Sequence, residues 1–297
     1  MSNVVDKIRK LPFWSGDVDP VPLSGGLSNE SFVVTDGGRK YVARYGLDIP
    51  FHHVIREREH EMSRAAAELG LSPNLLFAED GVMIFDFIDG TTYAARDLPP
   101  NLEKVVELIK KCHAELHEYV RGPAYLFWVF HVLRDYAHRL REGDSRMLQG
   151  LPRLMEIAGE LERSAGTPRI CICHADLLAA NFIDDSERLW LIDWEYGSYG
   201  NAWFDLGNLC AMSEFTREDE SKLLHHYFER EPDPNDWRRL DAMRCAAHLR
   251  EAMWSMVSEL HMELDVDYEA YTAEQVAGFE ACHERYRERY GLASVPR

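Results

Sequence analysis

Residues 174–208 read HADLLAANFIDDSERLWLIDWEYGSYGNAWFDLGN. Two short apolar runs, Phe182–Asp184 and Leu189–Trp194, flank Asp185-Ser186-Glu187, a pattern that predicts a hairpin. Arg169–Cys173 just upstream is another β-rich run, so His174–Asn181 is the loop joining it to the hairpin. Three carboxylates and one amide fall where strands give way to loops: Asp176, Asn181, Asp193 and Glu195. Asp193 directly follows the apolar run Leu189–Ile192, which sets its carboxylate at a strand end, where functional groups converge. An Asn five residues after Asp176, with an Asp on the next strand, offers the oxygen ligands that a hard ion such as Mg²⁺ takes. Asp176 is then free to orient an attacking hydroxyl and accept its proton.

Working outward, the chain on the N-terminal side is β-rich. Ser31–Thr35 is a strand-like run, Asp36-Gly37-Gly38 a hairpin turn signal, and Lys40–Tyr45 the return strand. Val54–Leu69 carries helix formers and is stopped by Gly70, and Val82–Ile88 is another strand. From Leu102 the period changes to that of helices, over Leu102–Tyr119, Phe127–Arg141 and Leu151–Ser164, and again from Asp205 to Tyr290. The pattern predicts an α+β, two-lobed protein. A small lobe spans residues 1–90 and a helical lobe with the embedded hairpin spans residues 91–297, the boundary falling near Asp89–Ala94.

A catalytic Asp, an Mg²⁺-binding Asn and an Mg²⁺-binding Asp in this order follow phosphotransferase logic. The N-terminal half supplies an independent check. Ser24-Gly25-Gly26-Leu27-Ser28-Asn29 precedes a strand, so its backbone N–H groups are in position to fold over phosphates, although the same residues suit any hairpin turn. Arg44 on the third strand and Glu59 on the following helix have the order of a phosphate-binding cation and its partner carboxylate. Either would be an ordinary surface ion pair alone; their occurrence with the loop segment carries the weight.

Composition narrows the partners. The 297 residues carry 33 Lys+Arg against 51 Asp+Glu, a net charge of −18, which disfavours nucleic acid and acidic lipid and suits a cationic small molecule. At 46% hydrophobic and 28% charged, the chain buries a sizeable core without staples. Six cysteines form no C-x-x-C pair, and the longest apolar run, Tyr125–Phe130, is too short to span a bilayer. These features, with an N-terminus lacking a signal-like apolar stretch, lead us to expect a reduced, cytoplasmic protein with no membrane insertion. His113-Ala-Glu-Leu-His117 has its Glu misplaced for a zinc H-E-x-x-H site and reads as a helix face, while His174 reads as a brace for the loop. Ser24 and Ser28 lack a His–Asp partner order, which speaks against a nucleophilic hydrolase.

The stretches LSGGLSNESF, YVARYG, EHEMSRAAAELGLSPNLL, HADLLAANFI, LIDWEYGSYGNAWFDLGN and AMWSMVSELHMELDVDYEAY together resemble the choline/ethanolamine kinase family, within the aminoglycoside-phosphotransferase and protein-kinase-like group. The resemblance covers nearly the whole chain, from Leu23 to Tyr290. It implies a protein-kinase-like two-lobed fold, ATP and Mg²⁺ as cofactors, and phosphorylation of the hydroxyl of choline or ethanolamine. It implies Asp176 as catalytic base, Asn181 and Asp193 as Mg²⁺ ligands, and Glu195 as support for metal or substrate. Arg44 would contact ATP phosphates with Glu59 positioning it, the Ser24–Asn29 loop would cover those phosphates, and Asp86, Phe87 and Ile88 would meet the adenine. A quaternary ammonium is best held by aromatic faces, and the resemblance places Trp254, Tyr268 and Tyr271 around it, with Tyr196 from the Asp-Trp-Glu-Tyr turn.

Two positions depart from the family pattern. Glu251 stands where a second Trp often occurs, and Met212 where an acidic residue is common, with Glu214 shifted by two. A carboxylate at Glu251 exchanges cation–π stabilisation for charge attraction and leaves room for a primary ammonium. The expected partner is therefore a small cationic amino alcohol, choline first, and the protein a monomer or homodimer. Rival readings are a kinase of another alcohol, such as thiamine or an aminoglycoside, and a non-catalytic nucleotide- or choline-binding module.

Overall fold

The computed structural model describes residues 2–23, 29–79, 81–213, 215–262 and 267–291. Its N-terminal part contains helix α1 (Ser2–Arg9), strands β1 (Val21–Leu23), β2 (Glu30–Asp36) and β3 (Arg39–Tyr45), helix α2 (Arg56–Glu68), and strands β4 (Leu75–Glu79) and β5 (Val82–Asp86). The strands form one antiparallel sheet in the order β1-β2-β3-β5-β4. Gly37 and Gly38 both take positive φ, 57° and 83°, which is what a two-residue hairpin turn between β2 and β3 requires. The period of two on β3 divides its side chains. Ala43 enters a small core with Ile8, Phe32, Val34 and Ile84, whereas Val42 and Arg44 face the cleft. Helix α1 contributes Ile8 to that core; it escaped the sequence reading because eight residues hold barely two turns of pattern.

The remainder is built from β6 (Thr91–Thr92), α3 (Leu102–Glu115), α4 (Val129–Glu142), α5 (Leu151–Ala165), β7 (Ile170–Cys173), β8 (Phe182–Asp184), β9 (Leu189–Leu191), β10 (Ser198–Asn201), α6 (Ala202–Ala211), α7 (Arg217–Phe228), α8 (Pro234–His261) and α9 (Tyr268–Tyr290). Strands β8 and β9 form the expected hairpin, with β6 on the free edge of β8, and β10 pairs antiparallel with β7. Helix α8 is the axis of this part. Asp233 caps it by accepting from the N–H groups of Asn235 and Asp236, and its interior buries Leu240, Met243, Ala247, Met253 and Met256 together with the polar Asp241, Arg250 and Ser255. Helix α6 crosses it at Gly207, where a Cβ would come within 2.6 Å of the Met243 backbone.

Within residues 174–208, two boundaries differ from the sequence reading. The second hairpin strand ends at Leu191 rather than Trp194: the Ile192 N–H still donates across to the Asn181 carbonyl (2.9 Å), and the chain then leaves the extended conformation at Asp193, which takes φ 68°. Helix α6 begins at Ala202, three residues before Asp205, because the Asn201 side chain accepts from the Trp203 N–H and caps it there.

Candidate active site

The loop after β7 is held from behind. Asp205, 1% exposed on α6, accepts from the N–H of His174 and from that of Ala175, both at 2.8 Å. Asn208, three residues on and so on the same helix face, accepts from the Leu177 N–H at 2.6 Å. His113 Nε2 meets Asp205 at 2.9 Å and its Nδ1 meets the Tyr227 hydroxyl at 2.8 Å. Burial alone would lower His113, but the Asp205 hydrogen bond outweighs it and the net shift is upward. The thiols of Cys171 and Cys173 lie near this ring, yet both its nitrogens are already engaged. His174 is fully buried, kept neutral by that burial, and its Nε2 meets the Ile192 carbonyl at 2.9 Å. This scaffold lets Ala175 adopt φ 65°, which turns the chain so that Asp176 faces forward.

Asp176 and Asn181 are locked to each other: the Asn181 amide donates to the Asp176 carbonyl at 2.9 Å. Burial pushes the Asp176 carboxyl up to about 8, with Glu251, Asp193 and Glu195 adding to the rise and Arg250 opposing it. Across the cleft, Arg44 Nη2 reaches Asp193 at 2.5 Å, Glu59 at 3.2 Å and Glu195 at 3.4 Å. Arg56 bonds Glu59 and lies 3.3 Å from Glu195. Arg58 donates to the Glu195 and His53 carbonyls, at 2.7 and 2.5 Å. Burial, seconded by Asp193, pushes Glu195 up to about 7 against the pull of Arg44. Burial would lower the Arg44 guanidinium, yet its three carboxylates hold it above its ordinary range.

A cavity of about 420 Å³ lies between the sheet and the hairpin. Arg44, Asn181 and Asp193 form its polar end, and Val42, Ile183 and Ile192 are apolar walls. Asn29, Asp86, Phe87 and Ile88 also line it, whereas Glu59 is fully buried behind Arg44. Asp86 is engaged by Arg39 and by the Asn74 amide (2.8 Å). Ser24, Gly25, Gly26 and Ser28 lie outside the described residues, as does Glu214. The donor set at the polar end, one amide and clustered carboxylates, is oxygen-rich and suits a hard divalent ion.

On the other side of Asp176, Tyr196, Glu251, Trp254 and Tyr271 gather around Arg250. The Tyr271 hydroxyl donates to Glu251 at 3.1 Å, and its ring stands edge-on to Trp254 with centroids 6.4 Å apart. Tyr268 is buried at the start of α9, and its hydroxyl has no hydrogen-bond partner among the described residues. Two of the aromatic faces are already covered. His52 stacks on Trp254 at 4.5 Å, kept neutral because burial, then Arg250, pushes it down to about 2, and Arg250 lies 4.5 Å over the Tyr196 ring. Sequence reasoning missed Arg56, Arg58, His52, Asp205, Asn208 and Arg250. The signal for Asp205 and Asn208 was legible: two polar residues three apart in the otherwise apolar Ala202–Ala211.

A sheet-and-helix cleft with an Asp–Asn loop beneath it and a strand-borne Arg reaching an Asp on the far side defines a two-lobed, protein-kinase-like phosphotransferase fold. Consistent with this, residues 19–243 match the Phosphotransferase enzyme family (APH). The chain belongs to that family and is a phosphotransferase. It is 24% identical over 264 residues to Protein LicA of Haemophilus influenzae, covering 84% of this chain and 76% of that protein. It is 31% identical over 123 residues to a probable ethanolamine kinase of Arabidopsis thaliana, a match spanning 34% of this chain and 32% of the relative. A choline/ethanolamine kinase family protein from Mesorhizobium loti shares the fold, with TM-score 0.78, 24% identity, and 95% and 94% of the two chains covered.

Proposed function

We propose that the protein transfers the γ-phosphoryl group of ATP, with Mg²⁺, to the hydroxyl of a small amino alcohol. Choline and ethanolamine are the simplest acceptors of that class, and the cytoplasm is the compartment we assign. The observation that carries this reading is the convergence of Arg44, Asn181 and Asp193 on one end of the cavity, with Asp176 on the loop beside them.

Asp176 orients the acceptor hydroxyl and takes its proton; burial raises its carboxyl, which makes the ionised form a stronger base than an exposed carboxylate. Arg44 offsets phosphate charge, and Glu59 and Asp193 fix its guanidinium from two sides. Asn181 and Asp193 would hold Mg²⁺, which supplies charge neutralisation for the transferring phosphoryl group when bound. The apolar walls take the base of the nucleotide beside Asp86, Phe87 and Ile88.

On the acceptor side, Glu251 presents a carboxylate among rings whose faces are partly covered, which favours a primary ammonium over a quaternary one. The test is ADP release with ethanolamine, choline, thiamine and an aminoglycoside as acceptors. Release on the small amino alcohols supports the reading; preference for thiamine or the aminoglycoside replaces the acceptor. Mg·ATP binding without ADP release on any alcohol supports a non-catalytic module instead.

A further inference from the structure

Arg250 is a cation that a simple amino-alcohol acceptor leaves without a task. It is 3% exposed, donates from Nη1 to Glu251 at 2.9 Å, and holds the same nitrogen 3.6 Å from the Asp176 carboxylate. Its Nε and Nη2 have no hydrogen-bond partner among the described residues. Buried donors left unmade are costly, so two on one side chain beside a catalytic carboxylate point to an acceptor group that arrives with the ligand.

The surroundings argue against a purely cationic ligand. A quaternary ammonium needs several open aromatic faces, yet Arg250 itself covers Tyr196 and His52 covers Trp254. Arg250 and Glu251 present opposite charges on adjacent positions of α8. A bare ammonium entering here gains Glu251 but meets the guanidinium. A zwitterion gains both, exchanging the internal 2.9 Å ion pair for two pairs with itself. The planar guanidinium, with its fork of donors, matches a carboxylate in particular.

We propose that Arg250 determines acceptor specificity, and that the acceptor is a small hydroxy amino acid whose carboxylate Arg250 takes while Glu251 takes its ammonium. This deepens the alcohol-kinase reading and rests on it. In the transfer, the acceptor oxygen bonds to the γ-phosphorus of ATP. The bond from that phosphorus to the β,γ-bridging oxygen breaks with its electrons on ADP, and the hydroxyl proton passes to Asp176. Because Arg250 adjoins Asp176, the carboxylate sits close along the chain to the reacting hydroxyl, as it does in a molecule of serine size.

The experiment uses the full chain with Mg·ATP and measures kcat/KM by ADP release on ethanolamine, choline, L-serine, isoserine and L-homoserine. Ethanolamine and L-serine differ by one carboxylate. At least one hydroxy amino acid is expected to exceed both amino alcohols by tenfold or more, and Arg250→Gln to bring that ratio to about one. Ethanolamine or choline matching or exceeding every hydroxy amino acid on the wild-type chain overturns the proposal, whether or not the variant folds. An unchanged ratio in a folded Arg250→Gln overturns it as well. Absence of ADP release on every alcohol overturns the kinase reading itself, a different result from a preference for amino alcohols.

Discussion

Arg44 on the third strand of the sheet reaches Asp193 beyond the hairpin, Nη2 to Oδ1 at 2.5 Å, and so ties the two sides of the cleft together at its polar end. The same nitrogen lies 3.2 Å from Glu59, so the cation is held between helix α2 and the strand end that carries Asp193. Replacing Arg44 by Met should lower kcat/KM for ATP by about 100-fold, the scale of one lost transition-state donor. A kinetic titration of ATP against the variant checks this; an unchanged kcat/KM removes Arg44 from the phosphate site.

Glu59 is fully buried between Arg44 and Arg56, with no role at the cleft surface. Glu59→Gln keeps the shape and removes the charge, so Arg44 is freer to swing toward Asp193 and Glu195. We expect KM for ATP to rise by roughly tenfold with kcat less affected, together with a stability loss of about 1–3 kcal/mol. Parallel steady-state kinetics and urea unfolding separate the two effects.

Asp205 predicts a structural phenotype with a pH signature. Asp205→Asn leaves one backbone N–H of the catalytic loop without its carboxylate oxygen and deprives His113 of its ion pair. A loss of about 2–4 kcal/mol follows. Because His113 is raised in the folded state, its contribution is complete below its ordinary value of 6.5 and is lost as pH rises through the raised value. Wild-type stability should therefore fall with rising pH through that window, and His113→Gln should flatten that component. A pH series of melting temperatures on both proteins decides it; identical slopes would remove His113 as the source.

Gly207 predicts a packing phenotype. An added Cβ meets the Met243 backbone at 2.6 Å, where two helices cross and neither end is a flexible side chain. Gly207→Ala should destabilise by about 1–3 kcal/mol through forced helix separation, despite the higher helix propensity of Ala. Urea unfolding reads the sign directly; a stabilised variant would show that the crossing yields at no cost.

Sequence patterns exposed the parts of the fold that repeat over many residues. The β2–β3 hairpin was legible from its alternation and Gly37-Gly38, α2 from its helix formers and Gly70, and β8–β9 from two apolar runs about a polar turn. Strands β6 and β10 were not, because they owe their existence to a partner far along the chain rather than to local pattern. The site divides the same way. Asp176, Asn181 and Asp193 announce themselves by spacing, whereas Arg250 is an ordinary cation in Leu249-Arg250-Glu251 until the fold packs it against Tyr196 and Asp176. The covering of Trp254 by His52 joins residues about two hundred positions apart, and no local signal marks it.

The central claim is that Asp176 is the base that activates an alcohol for phosphoryl transfer. Asp176→Asn preserves size and the backbone carbonyl that Asn181 binds, so the loop should keep its shape. The direct measurement is ADP release by wild type and variant on the best acceptor of the panel, with Mg·ATP affinity determined in parallel. A fall in kcat of about 10²–10⁴ is expected, with nucleotide binding retained; turnover of the variant at the wild-type rate would show that Asp176 is not the base.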